Sequence, residues 1–485
     1  MKVFPCEVIR AAERELFASG ATTSAELMST VVERLWQAAG REPELSALRP
    51  RRVVVYAGRG NNAGDALGLA ARFRCPVTLR AVCGLHEFSP ESAQQFALLA
   101  GHELSTATPA PQEGLLIIDG LLGSGATGPL REPYAALVHE LNALRAASPR
   151  SCTLAIDVPT GLNADTGEVP GEAVQADVTA VIGCVKPGML ADGAADCVGR
   201  LLCIPLPEVE LPGDCTPRVA DAAVLSCLPR RPYSYFKNRA GRVHIVAGNV
   251  GYVGAAQMCA EAAVAAGAGL VALYCREEVY PILAARVAPE VMVVPVRSYA
   301  EVPTEGAQAL VIGPGLGKLR GADARTLHDL LMRCTVPMVV DADALNMAAE
   351  YGWELPPHCI LTPHPGEMKR LFPAAAELSR AECARRYVAQ HPCTLLLKGA
   401  RTLVTNGAEI WYNSTGGPYM ANGGQGDVLA GCIGSLVAQG LSPLRAAVLG
   451  ALACGQAAAL ARMAAGYPRA IRATDVVQNL QSALR

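Results

Sequence analysis

The chain has 485 residues with 42 basic and 44 acidic side chains, which gives a formal net charge of −2 at pH 7. This length exceeds one ordinary core and predicts two domains, and the balanced charge argues against nucleic acid or an acidic membrane surface as a partner. The 17 cysteines include no C-x-x-C pair and no zinc-like spacing. We therefore expect reduced core cysteines in a cytoplasmic protein.

Short apolar runs alternate with helical patterns, which indicates α/β domains with mainly parallel sheets. In the first half these runs lie at 53–57, 115–119, 153–157 and 177–184, and in the second half at 242–247, 271–274, 309–313, 337–341 and 394–398. Between them, residues 205–236 are rich in proline and show no sustained period. We predict an N-terminal domain over residues 1–212, a linker over 213–235 and a C-terminal domain over 236–485.

Three polar loops that contain glycine follow strands of the first half: GRGNNAGDA at 58–66, DGLLGSGATG at 119–128 and DVPTGLNADTG at 157–167. Ligands of open α/β sheets lie beyond the carboxyl ends of the strands, so we expect these loops to meet. Asn61, Asn62, Asp119 and Thr160 offer hard oxygens that suit a hard cation, and Asp157 can act as acid or base. Each motif taken alone is equally compatible with a plain turn or a helix cap.

These loops, together with VKPG at 185–188, resemble the NAD(P)H-hydrate epimerase domain. The resemblance implies a Rossmann-like three-layer sandwich, a potassium ion at Asn62, Asp119 and Thr160, and proton transfer by Asp157. The residues that it implies for binding of the hydrated cofactor are Asn61, Asn62, Ala63, Gly64, Asp65, Gly123, Ser124, Gly125, Ala126, Thr127, Gly128, Pro129 and Asp157.

The first half departs from the epimerase pattern in two places. Ala63 and Ala66 stand where that family has glycine, and the segment after Leu27 and Met28 lacks the usual Asn-Ala-Gly or Glu-Ala-Gly. A Cβ at a positive φ costs about 1 kcal/mol and would narrow the site. The alternative for this domain is therefore a binding module that has lost catalysis.

The segment NGGQGDVLAG at 422–431 joins three glycines to the start of a helix. Gly423, Gly424 and Gly426 allow consecutive N–H groups to converge, and the apolar run Val428–Ala438 predicts a buried helix whose positive end faces the same point. This combination predicts a phosphate site. Asp427 is then either the N-cap of the helix or a base required for chemistry.

Four further segments of the second half lie at strand ends, namely GNVGYVGAA at 248–256, GPGLG at 313–317, LTPHPGE at 361–367 and LLLKGART at 395–402. Lys398 and Arg401 are two cations that suit phosphate oxygens. A lone histidine such as His364 is more often a surface or hydrogen-bonded loop residue than a ligand.

In this order the motifs resemble the NAD(P)H-hydrate dehydratase domain, which has a ribokinase-like three-layer fold, over roughly residues 230–480. The resemblance implies that the adenine nucleotide contacts Lys398, Gly399, Ala400, Arg401, Thr402, Gly423, Gly424 and Gly426. It implies that the hydrate contacts Ala255, Gly315, Gly317, His364 and Asp427. Gln425 stands where threonine or serine is common in that family.

The two resemblances together imply repair of hydrated NADH and NADPH. The first domain would interconvert the R and S hydrates at C6, and the second would dehydrate the S form with ADP or ATP and Mg²⁺, Asp427 taking the proton of the hydroxyl. The alternative is a ribokinase-like kinase for a small alcohol, fused to a non-catalytic binding module. Alanine-rich helices are expected from Pro443 to Arg485, and we expect a homo-oligomer.

Overall fold

The computed structural model describes residues 1–213, 217–466 and 468–485. The chain divides into two compact units, Met1–Arg218 and Val219–Arg485. The division falls inside the segment that the sequence assigned to a linker. Residues 219–235 belong to the second unit, where Val224 is buried in the core.

The first unit contains a seven-stranded sheet in the order β3-β2-β1-β4-β5-β6-β7 with parallel neighbours. Its strands are β1 (Arg52–Ala57), β2 (Val77–Ala81), β3 (Leu104–Ser105), β4 (Leu115–Gly120), β5 (Cys152–Ile156), β6 (Val178–Ile182) and β7 (Arg200–Ile204). Its helices are α1 (Cys6–Ala18), α2 (Ser24–Ala39), α3 (Pro43–Leu48), α4 (Asn61–Ala70), α5 (Pro90–Ala97), α6 (Tyr134–Ala147) and α7 (Ala195–Val198).

Both faces of this first sheet are covered by helices. Along β1, Val53 and Val55 belong to a core shared with α2 and α4, whereas Val54 and Tyr56 belong to a core shared with α6. Alternate side chains of a strand point to opposite faces, so a strand covered on both sides is apolar throughout. The predicted three-layer sandwich is confirmed.

The second unit contains a ten-stranded sheet in the order β11-β10-β9-β12-β13-β14-β15-β16-β17-β8. Its strands are β8 (Arg218–Val219), β9 (Arg242–Val246), β10 (Leu270–Arg276), β11 (Val291–Val296), β12 (Ala309–Ile312), β13 (Met338–Val340), β14 (Cys359–Leu361), β15 (Thr394–Leu397), β16 (Thr402–Thr405) and β17 (Ile410–Asn413). Neighbours from β11 to β15 are parallel, and β16 is antiparallel to both β15 and β17.

Helices also cover both faces of the second sheet. They are α8 (Val253–Ala265), α9 (Tyr280–Arg286), α10 (Gly321–Arg333), α11 (Ala342–Tyr351), α12 (Pro365–Leu371), α13 (Arg380–Gln390), α14 (Gln425–Ala438), α15 (Pro443–Ala464) and α16 (Ala473–Ala483). In β12, Val311 joins a core with α8, α14 and α15, whereas Leu310 joins a core with α10 and α11. This arrangement confirms the second three-layer domain.

Helix α15 is the one helix of the described chain that is long and apolar enough to cross a membrane. Its most apolar 18-residue window has a mean hydropathy of 1.5, and 83% of that window is buried inside the protein. Burial on this scale is the packing expected of a core helix.

Candidate active sites

The loops after β1, β4 and β5 meet at one edge of the first sheet and line a cavity of about 560 Å³. The polar part of its wall includes Asn62 and Asp65 from α4, Ser124 after β4 and Asp157 after β5. Apolar side chains of α1 and α2 complete the wall, namely Ile9, Phe17, Leu27, Met28 and Val31. The predicted convergence of the three loops is confirmed.

Asp157 and Lys186 form a buried ion pair in the wall of this cavity. Asp157 directly follows β5 and has a φ of 64°, a left-handed conformation that is uncommon for a residue other than glycine. The Lys186 side chain is 1% exposed. Its burial lowers the pKa, but the charge and hydrogen bond of Asp157 outweigh that effect and raise the pKa of Lys186. The lysine therefore stays cationic beside the Asp157 carboxylate.

Asp119, Thr160 and Asn62 come together behind the loop that follows β4. Asp119 is fully buried, and its two oxygens accept hydrogen bonds from Thr160 Oγ1 and Thr160 N, both at 2.8 Å. Asn62 Nδ2 donates to the carbonyl of Leu122 at 3.0 Å, and Leu122 N donates to Thr160 Oγ1 at 3.0 Å. Burial raises the pKa of Asp119 to about 6 against the opposing effect of these hydrogen bonds. The three residues implied for potassium thus share one network.

Asp65 is a second buried carboxyl group of the cavity wall. It is 7% exposed, and among the described residues its Oδ1 has no hydrogen-bond partner. Burial, followed by the charges of Asp157 and Glu13, raises its pKa well above the usual value. Burial therefore favours the neutral form of the Asp65 carboxyl group.

Ala63 and Ala66 are fully buried inside helix α4. The described non-glycine residues with a positive φ are Arg49, Arg150, Asp157 and Ala342. Ala63 and Ala66 are not among these described residues with a positive φ. An alanine in place of the family's glycine therefore causes no backbone strain here. The Cβ of Ala66 instead fills space beside Gly120, where a second Cβ would come within 2.5 Å.

In the second unit, Asp427 is the third residue of helix α14, after Gln425 and Gly426. The N-cap is Gly424, with a φ of 96°, so the interpretation of Asp427 as the N-cap is wrong. The pKa of Asp427 is raised to about 7, mainly by burial and then by the charge of Asp341, while Lys398 opposes the shift. A carboxyl group with this pKa can act as a base at neutral pH.

Lys398 lies beside the start of α14, between buried carboxylates. Its Nζ is 2.9 Å from Asp341 Oδ1 and 3.8 Å from Glu367 Oε2, and Asp341 is 1% exposed. A Cβ added to Gly426 would lie 3.3 Å from Nζ. Although burial lowers the pKa of Lys398, the charges of Asp341 and Glu367 outweigh it and raise that pKa. The lysine is thus held by ion pairs within the protein.

Gly315 packs against Ala255, and Gly317 contacts Asp343. A Cβ on Gly315 would come within 2.9 Å of the Ala255 Cβ and 2.7 Å of the Tyr252 carbonyl oxygen. Gly317 N donates to Asp343 Oδ2 at 2.7 Å. The Asp343 charge also contributes to the raised pKa of Asp427.

Two family models match the chain, one in each unit. The model described as YjeF-related protein N-terminus matches residues 21–188, and the model described as NAD(P)H-hydrate dehydratase matches residues 243–482. The bifunctional NAD(P)H-hydrate repair enzyme of Escherichia coli is 37% identical over 497 residues, which cover 99% of this chain and 93% of that protein. Its counterpart in Coxiella burnetii is 34% identical, covering 98% of this chain and 97% of that protein.

The chain belongs to the family of bifunctional NAD(P)H-hydrate repair enzymes. Among solved structures, a ribokinase-like superfamily protein from Enterococcus faecalis is 29% identical with a TM-score of 0.50, covering 55% of this chain and 95% of that protein. The second unit is the part of the chain that has this ribokinase-like fold. The residue ranges that the two family models match contain Asp65, Asp157 and Lys186 in the first unit. In the second unit they contain Asp341, Lys398 and Asp427.

Some residues implied by the repair-enzyme motifs lie outside the cavity. Of the loop Gly123–Pro129, Gly123, Ser124 and Gly125 are the described residues that line it, whereas residues 126–129 extend beyond. Ala63 and Gly64 are buried beneath the wall, and a Cβ on Gly64 would come within 2.5 Å of the Met28 sulfur. In the second unit, Gly424 is the glycine of its loop that has a left-handed φ, while Gly426 is helical.

His364 is the N-cap of helix α12. Its Nδ1 accepts hydrogen bonds from Gly366 N at 2.9 Å and Glu367 N at 3.3 Å, and its side chain is 50% exposed. This is the hydrogen-bonded loop histidine that the sequence left as the alternative. A contact between His364 and the hydrate stays a prediction.

In the loop from Lys398 to Thr402, one of the two cations that were expected to suit phosphate oxygens is buried. Arg401 is 4% exposed, and burial lowers its pKa to about 10. Gly399 and Ala400 are exposed at the turn between β15 and β16. The guanidinium of Arg380 donates to the carbonyls of Leu397 at 2.7 Å and Lys398 at 3.1 Å. Arg380 is therefore the cation that contacts this loop, and sequence reasoning missed it.

Proposed function

We propose that the chain repairs hydrated NADH and NADPH at two sites that act in series. The first unit interconverts the R and S hydrates at C6, and the second dehydrates the S form with ADP or ATP. One observation carries the proposal: Asp427, with a pKa raised to about 7, lies in the first turn of α14 beside the Lys398–Asp341 ion pair. Membership of the repair-enzyme family over nearly the whole chain supports both activities.

The second unit supplies a base where phosphoryl transfer requires one. Hydroxide is a poor leaving group, so the C6 hydroxyl is first phosphorylated. Asp427 takes the hydroxyl proton as the oxygen attacks the terminal phosphorus of the nucleotide, and the bond from that phosphorus to the nucleotide breaks. The N–H groups at the start of α14 stabilise the developing charge. Phosphate then leaves from C6, C5 loses a proton, and the dihydropyridine ring is restored.

Magnesium accompanies the nucleotide in this proposal. The described residues contain no cluster of three or more His, Cys, Asp or Glu side chains that could hold a metal ion. Mg²⁺ is commonly bound through substrate phosphates and water with few protein ligands. When bound, the ion neutralises charge on the phosphates.

Potassium fits the network behind the β4 loop of the first unit. Asn62, Asp119 and Thr160 offer an amide oxygen, a carboxylate and a hydroxyl, and the Leu122 carbonyl lies in the same network. These are the hard oxygen donors that an alkali cation requires. We assign K⁺ to these residues, where it would fix the loop that carries Ser124, whose N–H points to Asp157 Oδ2 at 3.4 Å.

A cytoplasmic location and a homo-oligomer remain proposals. The oligomer was expected from alanine-rich helices at the C-terminus, but α15 is largely buried inside its own unit. Any subunit contact would therefore use other surfaces. Light scattering of the purified protein measures the mass directly, and the mass of a single chain would reject the oligomer.

Incubation with hydrated NADH, Mg²⁺ and either ADP or ATP tests the dehydratase. We expect the absorbance of NADH to return with release of one inorganic phosphate per NADH. A mixture that stays inert with both nucleotides would contradict the function, and a stable phosphorylated product would identify a kinase instead. Comparing the two nucleotides at equal concentration also establishes which one the enzyme prefers.

A further inference from the structure

The cavity of the first unit contains a second buried acid, Asp65. The epimerase resemblance assigns proton transfer to Asp157 and gives Asp65 only a binding role. Asp65 projects from the first half of α4 into the wall of the cavity. It is 7% exposed, and within the described chain no group bonds to its Oδ1. Burial of a polar atom without a partner is unfavourable, so a structural role alone explains this oxygen poorly.

The charged groups around Asp65 come from four different elements. Asp157 follows β5 and Glu13 lies on α1, and both interact electrostatically with Asp65. Lys186 holds Asp157 in an ion pair, while Arg10 and Arg59 lie in the wall of the same cavity. Asp157 thus has a cationic partner, whereas Asp65 has none among the described residues.

We propose that Asp65 is a catalytic residue of the epimerase, donating a proton to the C6 hydroxyl while Asp157 acts as the proton acceptor. The proposal rests on C6 epimerisation as the function of this unit. Its direct support is geometric: one cavity holds an ion-paired carboxylate and a buried carboxyl oxygen that lacks a partner in the described chain. The raised pKa of Asp65, caused by burial and then by Asp157 and Glu13, agrees with the role of donor.

The step balances with water as the only other reactant. Asp65 transfers its proton to the C6 hydroxyl, the C6–O bond breaks, and water leaves as the N1 lone pair forms a C6=N1 double bond. Water then adds to the other face of C6, and Asp157 takes a proton from it. One proton has moved from Asp65 to Asp157, and exchange with solvent resets the pair. Nothing is oxidised or reduced.

Asp65→Asn tests the donor, because the amide keeps the shape of the side chain but carries no transferable acid proton. Starting from the isolated R hydrate, formation of the S hydrate is followed by chromatography. We expect kcat to fall about 10²- to 10⁴-fold with KM changed less than threefold. In the wild type, kcat should fall as pH rises through the pKa of Asp65, and this alkaline limb should vanish in the variant.

Two controls accompany the variant. Dehydration of the S hydrate by the second unit of the same chain should stay at the wild-type rate. Glu140→Gln alters a carboxylate that pairs with Arg80 outside the cavity, and it should epimerise at the wild-type rate. Asp65→Glu, which restores an acid, should recover part of the lost kcat.

Several results would overturn the proposal. A kcat of Asp65→Asn within twofold of wild type, or a raised KM at unchanged kcat, would exclude proton donation while leaving the epimerase function intact. Failure of the wild type itself to epimerise would reject the function as well. If Asp65→Asn does not fold, Asp65→Ala is the second variant, and a kcat within twofold of wild type would likewise exclude proton donation.

Discussion

The two units use the same arrangement of charged residues for different tasks. Each has an aspartate at a strand end paired with a lysine, Asp157 with the buried Lys186 and Asp341 with the partly buried Lys398. Each has a second aspartate on a nearby helix whose pKa is raised, Asp65 in one unit and Asp427 in the other.

The units differ in which aspartate is available to a ligand. In the first unit the ion-paired aspartate lines the cavity, with a side chain that is 14% exposed. In the second unit the ion-paired Asp341 is 1% exposed, and the helical Asp427 is more accessible. Inversion at C6 needs a proton donor and a proton acceptor, whereas phosphoryl transfer needs one base. In the proposed mechanisms, the same pair of groups therefore supplies two catalytic residues in one unit, and a base with a buried neighbour in the other.

The largest expected effect separates the two units. Asp427→Asn should lower kcat of dehydration about 10²- to 10⁴-fold, because the base is lost, and leave epimerisation unchanged. In the wild type the ionised base is required and its pKa is about 7, so dehydration should slow as pH falls below 7. Phosphate release measured from pH 5.5 to 9 checks both points. Asp329→Asn, at an exposed position of α10, is the matched control.

A second test concerns the buried lysine of the first unit. Lys186→Met leaves Asp157 without its cationic partner, and we expect unfolding of this unit to become easier by about 3 kcal/mol. Urea unfolding followed by far-UV circular dichroism measures the change. Unaltered stability together with unaltered epimerisation would show that the pair in the first unit is dispensable, and the parallel between the units would fail.

A third test compares two variants that should shift the pKa of Asp427 in opposite directions. Asp341→Asn removes a charge that raises the pKa of Asp427, so the acid limb of the dehydration profile should move down by roughly one pH unit. Lys398→Met removes the opposing charge and should move the limb up. Shifts in the same direction for both variants would contradict the assignment of Asp341 and Lys398 as a pair that sets the basicity of Asp427.

The smallest expected effect concerns the two alanines of α4. Ala63→Gly and Ala66→Gly restore the residues typical of the epimerase family, but each removes a methyl group from a buried helix. We expect a loss of about 1 kcal/mol in stability and no gain in epimerase kcat. A several-fold gain in kcat for either variant would show that the alanine side chain does narrow the site.

The sequence predicted the glycine loops at strand ends, the helix after Asp427 and both three-layer folds, because these features depend on local patterns. It did not predict the ion pairs, since Lys186 and Asp157 are 29 residues apart and Lys398 and Asp341 are 57 residues apart. Such partners depend on which strands neighbour each other. Strain at Ala63 and Ala66 depended on a positive φ, and neither residue has one because the helix begins at Asn61, before both residues.

Recovery of NADH from a mixture of R and S hydrates tests the central claim of two sites in series most directly. With excess enzyme, nucleotide, Mg²⁺ and K⁺, the wild type should restore all of the NADH in one rapid phase. Asp157→Ala should stop once the S hydrate is consumed and then continue at the spontaneous rate of epimerisation. A wild-type reaction that stalls at the same point would contradict the account, because the first unit would then contribute no epimerase activity.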